Sequence, residues 1–129
     1  MILLDTHVLV WLQQEPRKLS RTADGAIRRA RRSSSLAISA ITLVELASLL
    51  SRGRLQTTGT VEGTIRKFVE EIEVLPLTVE VAIATSHFSL DSLPDPMDRI
   101  IAATARAEGV ALVTADERIH ATPLVKTIW

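Results

Sequence analysis

Four acidic side chains, Asp5, Glu45, Asp98 and Asp116, each stand where an apolar run gives way to a helical or turn pattern. Asp5 closes the run Ile2–Leu4, and Asp116 lies two residues past the run Ala111–Thr114. Glu45 is expected in the first turn of a helix that follows the run Leu36–Ser39, and Asp98 in the first turn of one that begins at Pro96. Carboxylates gathered together repel and raise one another's pKa unless a positive charge lies among them. Oxygen-only donors suit a hard divalent cation, Mg²⁺ or Mn²⁺. Such an ion polarises a phosphodiester and activates water against it, and a second ion can stabilise the leaving oxygen. With no cysteine and three histidines in the chain, zinc is a poor match.

Each acid also has a local use. Glu45 could close a capping box that opens at Thr42. Asp95 could cap the helix beginning at Pro96, with Asp98 a favourable anion in its first turn and Arg99 paired with Asp95 at four-residue spacing. Asp116 could be a turn residue. Asp5 could cap a helix starting at Thr6, although a carboxylate ending a buried strand needs a partner. The chemical reading therefore depends on all four acids converging.

Convergence requires a sheet. The runs Ile2–Leu4, Leu36–Ser39, Val74–Leu77, Ala111–Thr114 and Val125–Ile128 read as short strands, and Pro76 confines the third to an edge. Helical patterns cover Thr6–Gln13, Ser20–Arg32, Thr42–Ser51, Thr60–Ile72, Val79–Ser89 and Pro96–Glu108. The last is the clearest, with Pro96 at its first position and Gly109 as its stop. Strands alternating with helices predict an α/β fold, a central parallel sheet flanked by helices on both faces. Ligands of such sheets bind beyond the carboxyl ends of the strands, where Asp5 and Asp116 are expected.

The bulk properties are compatible. A chain of 129 residues fits one domain spanning 1–129, and 47% apolar with 3% aromatic residues implies an aliphatic core. The absence of cysteine excludes disulfides and thiol chemistry. No leader pattern is visible, and the longest apolar stretch, Leu36–Leu50, carries Glu45 and is too short to span a bilayer, so a cytoplasmic protein is expected. The net charge is zero, yet residues 1–67 hold 11 Lys/Arg against 5 Asp/Glu while residues 68–129 hold 4 against 10. A basic half could guide a phosphate backbone, or the charges could simply lie on solvated helix faces.

Taken together, the segments Met1-Ile2-Leu3-Leu4-Asp5-Thr6-His7, Ser39-Ala40-Ile41-Thr42-Leu43-Val44-Glu45-Leu46, Asp95-Pro96-Met97-Asp98-Arg99-Ile100-Ile101-Ala102 and Leu112-Val113-Thr114-Ala115-Asp116-Glu117-Arg118 resemble the PIN-domain family, specifically its VapC-type toxins, in order and spacing along the whole chain. The resemblance implies a PIN-like, Rossmann-like parallel sheet. It also implies a Mg²⁺- or Mn²⁺-dependent endoribonuclease acting on RNA, often tRNA or rRNA, as the toxin of a type II toxin–antitoxin pair. A cognate antitoxin and a homodimer are implied as partners. The family's acidic positions fall on Asp5, Glu45, Asp98 and Asp116, as metal ligands and catalytic residues, and Thr6 and Thr114 match hydroxyls beside them. Met97 stands where many relatives have Phe, and Asp91-Ser92-Leu93-Pro94 lacks the basic or His residues often found there.

Three other features have less decided readings. His7 invites a general-base role but is read as structural. Arg28, Arg29, Arg31 and Arg32 end a helix favourably for its dipole, and could hold phosphates or an acidic antitoxin segment. Trp11, beside Val8 and Leu12, could be core, dimer contact or antitoxin groove, and the scarcity of aromatics argues against stacking as the main mode of RNA contact. Rival functions are an aspartyl-phosphate phosphatase-like hydrolase with Asp5 as nucleophile, a phospho-receiver module, and a non-catalytic PIN-like binding protein. The first would want an acid at position 7, where His7 stands, and the second an acidic pair after the first strand.

Overall fold

Alternate residues of each strand point to opposite faces of a sheet, and here both faces are covered. The computed structural model describes residues 1–57 and 59–129. Its strands are β1 (Ile2–Leu4), β2 (Leu36–Ser39), β3 (Glu73–Leu75), β4 (Ala111–Val113) and β5 (Thr127–Ile128). They form one sheet in the order β3-β2-β1-β4-β5, with every pairing parallel. β1 is central, with Leu3 beside Ala37 on one side and Leu112 on the other.

The side chains divide strictly. Leu3, Ala37 and Leu112 enter one core, with Phe88, Ile101, Ala105 and Ile119. Leu4, Leu36, Ile38 and Val113 enter the other, with Val8, Leu9, Ile27, Leu46 and Phe68. Helices α1 (Thr6–Gln14), α2 (Arg21–Arg32), α3 (Ala40–Ser51) and α4 (Val61–Phe68) supply the second core, and α5 (Val79–Thr85), α6 (Pro96–Glu108) and α7 (Glu117–Ala121) the first. A short 3₁₀ turn, Pro16–Lys18, separates α1 from α2. No described helix is long and apolar enough to cross a membrane.

Several boundaries depart from the sequence reading, each for a local reason. α3 starts at Ala40 rather than Thr42, because the Ser39 hydroxyl accepts from the Ile41 N–H. Glu45 is thus in the second turn of α3, and a capping box opening at Thr42 is excluded. α4 stops at Phe68 instead of reaching Ile72. Glu70 and Glu71 follow, where a helix C-terminus disfavours anions, and Glu71 turns the chain at φ 63° so that β3 can pair with β2. α5 ends at Thr85, short of Ser89. α7 was unforeseen; it is a five-residue helix capped by Asp116. Gly109 ends α6 at φ 66°, a conformation that costs other residues about 1–2 kcal/mol.

Leu3 is fully buried at the centre of the sheet. Leu3→Ala should lower the unfolding free energy by about 2–5 kcal/mol. Urea denaturation would show this as a lower midpoint, and an unchanged midpoint would contradict the packing described.

Candidate active site

The carboxyl end of β1 delivers Asp5, which is 3% exposed and opens α1 as its N-cap. Both its oxygens are engaged. Oδ1 accepts from the Thr6 N–H at 2.8 Å, and Oδ2 accepts from the Thr114 hydroxyl at 2.7 Å. Thr114 is buried just past β4, so this bond ties the ends of the two adjacent strands together. Its oxygen also accepts from the Asp116 N–H at 3.0 Å. Asp116 in turn caps α7, accepting from the N–H groups of Arg118 and Ile119.

Glu45 reaches the same edge from α3. Its Oε1 accepts from the Thr6 hydroxyl at 2.7 Å. A hydroxyl has one proton, so at 3.0 Å Thr6 accepts from Thr42. Thr6 thus fixes Glu45 by its side chain and Asp5 by its backbone. Asp98 arrives from the first turn of α6, where Asp95 is the N-cap and accepts from the Met97 N–H at 2.8 Å. Arg99 does not form the pair with Asp95 that its four-residue spacing allowed. Its guanidinium donates to the carbonyls of Leu93 and Pro94, fixing the chain that leads into α6.

Asp5, Glu45 and Asp98 line one cleft of about 280 Å³, together with Thr6, His7 and Trp11. Burial raises the Asp5 carboxyl, against the opposing influence of His7 and the hydrogen bonds from Thr114 and Thr6. Burial also raises Glu45, with Asp5 and Asp95 adding to it and the Thr6 hydroxyl opposing. Asp98 is pushed up to about 7, first by burial and then by the charges of Asp5, Asp95, Asp116 and Glu45. Asp5, Glu45 and Asp116 each accept a hydrogen bond from the protein, whereas the Asp98 carboxylate accepts none from the described residues. Asp95, assigned only a capping role from sequence, is therefore part of the field. Its signal was proximity to Asp98 at three-residue helical spacing.

Whether these residues suit a divalent cation is a question of donor chemistry. The donors are hard oxygens on four separate segments; Asp5, Glu45 and Asp116 all raise Asp98, and no positive charge offsets it. That is the demand a Mg²⁺ or Mn²⁺ ion meets. As placed, no three acidic or histidine side chains among the described residues already form a cage. The residues fit the ion in kind and sign, with Asp98 the donor least served by the protein.

His7 occupies a structural place. Its Nε2 accepts from the Ala115 N–H at 3.1 Å, which puts its proton on Nδ1, 3.5 Å from Asp5 Oδ2. The basic cluster is elsewhere. Arg28 pairs with Asp24, and Arg29, Arg31 and Arg32 are exposed at the end of α2, which feeds β2 at the opposite edge of the sheet.

A PIN domain model matches residues 2–124. The chain is 39% identical to ribonuclease VapC22 of Mycobacterium tuberculosis over 131 aligned positions, covering 99% of this chain and 98% of that one. It superposes on VapBC2 from Rickettsia felis bound to a DNA fragment from their promoter with a TM-score of 0.75 and 19% identity, over 98% of this chain and 97% of that chain. The TM-score against DNA-bound VapBC from Salmonella typhimurium is 0.74 at 21% identity, over 98% and 95%. At those identities the solved structures bear on fold alone.

The raised acids fix a pH dependence. With Asp98 lifted from 3.8 to about 7, the folded chain binds more protons than the unfolded chain between those values. Stability of the metal-free protein is therefore greatest at the acidic end of this window and falls as pH rises through it. The thermal midpoint in EDTA should drop between about pH 5 and pH 8, and Asp98→Asn should flatten the slope. A midpoint that rises across the window would contradict the electrostatics.

Proposed function

The chain belongs to the PIN-domain family, as a homologue of the VapC ribonucleases, and we propose that it is itself a Mg²⁺- or Mn²⁺-dependent endoribonuclease, the toxin of a VapBC-type toxin–antitoxin pair. One observation carries the reading. Asp98 is a half-buried acid with no protein donor among the described residues, held near 7 first by its burial and then by the charges of four other acids. A group in that state calls for a cation. Asp5 and Asp98 would hold it directly, with Glu45 and Asp116 as further ligands or through water.

When bound, the ion supplies Lewis acidity to a phosphodiester oxygen and lowers the pKa of water. The chain's own part is orientation. Thr6 and Thr114 hold Asp5 by opposite oxygens, and Thr6 also holds Glu45, so the donors enter on fixed vectors. His7 takes no proton from water, since its Nε2 lone pair already accepts from Ala115. An aspartyl-phosphate mechanism is disfavoured because it would want an acid at position 7, where His7 stands.

RNA is the substrate class, with tRNA or rRNA the candidates suggested by the family resemblance, and the cytoplasm is the place of action. A cognate antitoxin would neutralise the enzyme. A homodimer is supported by α5, where Val79 and Ile83 are 70% and 56% exposed, and by Leu90 at 68%.

Asp5→Asn and Asp98→Asn should each reduce Mn²⁺-dependent RNA cleavage by at least about 10²-fold, and EDTA should abolish cleavage by the wild type. Metal-free Asp98→Asn protein should be no less stable at neutral pH, because one repelling charge is gone. A less stable but fully active Asp98→Asn enzyme would show that this residue is a helix-end anion and nothing more. For the dimer, sedimentation at micromolar concentration should give twice the chain mass, and Val79→Glu with Ile83→Glu should halve it. A monomeric wild type would refute the assignment.

A further inference from the structure

The chain has four aromatic side chains in all, two Phe and two Trp. Phe68 and Phe88 are core residues, 6% and 4% exposed. Trp11 and Trp129 instead lie side by side and half-buried, with ring centroids 5.8 Å apart. Trp129 packs on the core around Leu4 and Val8, whereas Trp11, among the described residues, packs on neither core. It forms part of the wall of the cleft that holds Asp5, Glu45 and Asp98.

The surroundings of Trp11 keep it in place. The His7 ring meets it edge-on at 4.8 Å between centroids, tilted by 66°, and Trp129 backs it. Its indole N–H bonds to no described residue, and since no buried polar atom among them is left unpaired, that N–H reaches solvent. The ammonium of exposed Lys18 lies over the ring, 5.7 Å from its centroid, and pairs with Glu15 at 3.0 Å. A large ring left out of both cores forgoes burial that would stabilise the fold, and this one forgoes it beside the acids.

An acid-lined cleft repels the phosphates of an RNA, so binding there needs an attraction that does not depend on charge. Base stacking on an indole is such an attraction, and it needs no particular sequence. We propose that Trp11 is a nucleobase platform. An unpaired base next to the scissile phosphate stacks on the ring where the Lys18 ammonium now lies, and Lys18 exchanges its Glu15 partner for that nucleotide's phosphate. The inference deepens the ribonuclease reading and rests on it for the position of the scissile bond. One platform is compatible with a chain otherwise poor in aromatics. It also implies selection for single-stranded over duplex RNA, because a paired base cannot leave its stack to reach the ring.

The test uses the full chain in EDTA, so that binding is read without cleavage, and a short single-stranded RNA of mixed sequence. In Trp129→Phe protein the only tryptophan is Trp11. Its fluorescence should be quenched by the single strand and little changed by the matching duplex. Trp11→Ala should weaken binding about 5- to 150-fold, the range for losing one stacked base, and Trp11→Phe should recover most of it. With Mn²⁺ present the Trp11→Ala loss should appear in KM more than in kcat. Quenching without any cleavage would keep the platform and remove the nuclease reading. Cleavage with no quenching of Trp11 would overturn the platform alone. If Trp11→Ala does not fold, the quenching experiment decides by itself, since it leaves Trp11 intact. Equal binding by folded Trp11→Ala and wild-type protein would also overturn the proposal.

Discussion

Repulsion among carboxylates at one edge of a parallel sheet is the constraint on which the rest of this structure depends. Burial of Asp98, reinforced by the charges of Asp5, Asp95, Asp116 and Glu45, holds it near 7. Such a cluster opposes folding at neutral pH unless a cation enters it or protons remain on it. The protein can keep these acids only because the framework beneath them is rigid. That framework is the central strand pair β1–β4, packed by Leu3 and Leu112 on one face and by Leu4 and Val113 on the other.

Rigidity reaches the acids through short local bonds. Thr114 and Thr6 are both buried, and between them they fix Asp5 and Glu45 and orient the chain at Asp116. Helix starts do the remaining work. Asp5 and Asp116 are N-caps, and Asp98 lies in the first turn of α6, where the helix dipole offsets some of its charge. The local capping roles and the proposed ligand roles are therefore compatible. A carboxylate with one oxygen on a cap still has lone pairs to offer, and cap geometry is what aims them. Asp98 differs in lacking a protein donor among the described residues, so its fate is tied most closely to the ion.

Much of this was legible in the sequence. A strand followed by Asp5, one ending at Ser39, and a helix bounded by Pro96 and Gly109 are local signals, and parallel topology follows from alternation of strands and helices. Other features depend on long-range contacts that spacing does not record. The Thr6–Glu45 bond joins residues 39 positions apart, and Thr114–Asp5 joins residues 109 apart. Spacing alone places Glu45 one turn too early in α3, because Ser39 serves both as the last strand residue and as the cap. The five residues of α7 are too few to show a period, although Asp116 followed by Glu117 is a cap signal. Trp11 read as one of several kinds of apolar contact, and only the fold shows it standing outside both cores on the cleft wall.

The central claim concerns one carboxyl group, and its protonation can be read directly. Carbon-detected NMR of the Asp98 side-chain carboxyl, titrated with pH in EDTA and again in saturating Mg²⁺, resolves it from the other acids. The account predicts a midpoint near 7 without metal and a large fall when Mg²⁺ is present. A midpoint in the ordinary aspartate range without metal, unmoved by Mg²⁺, would contradict it.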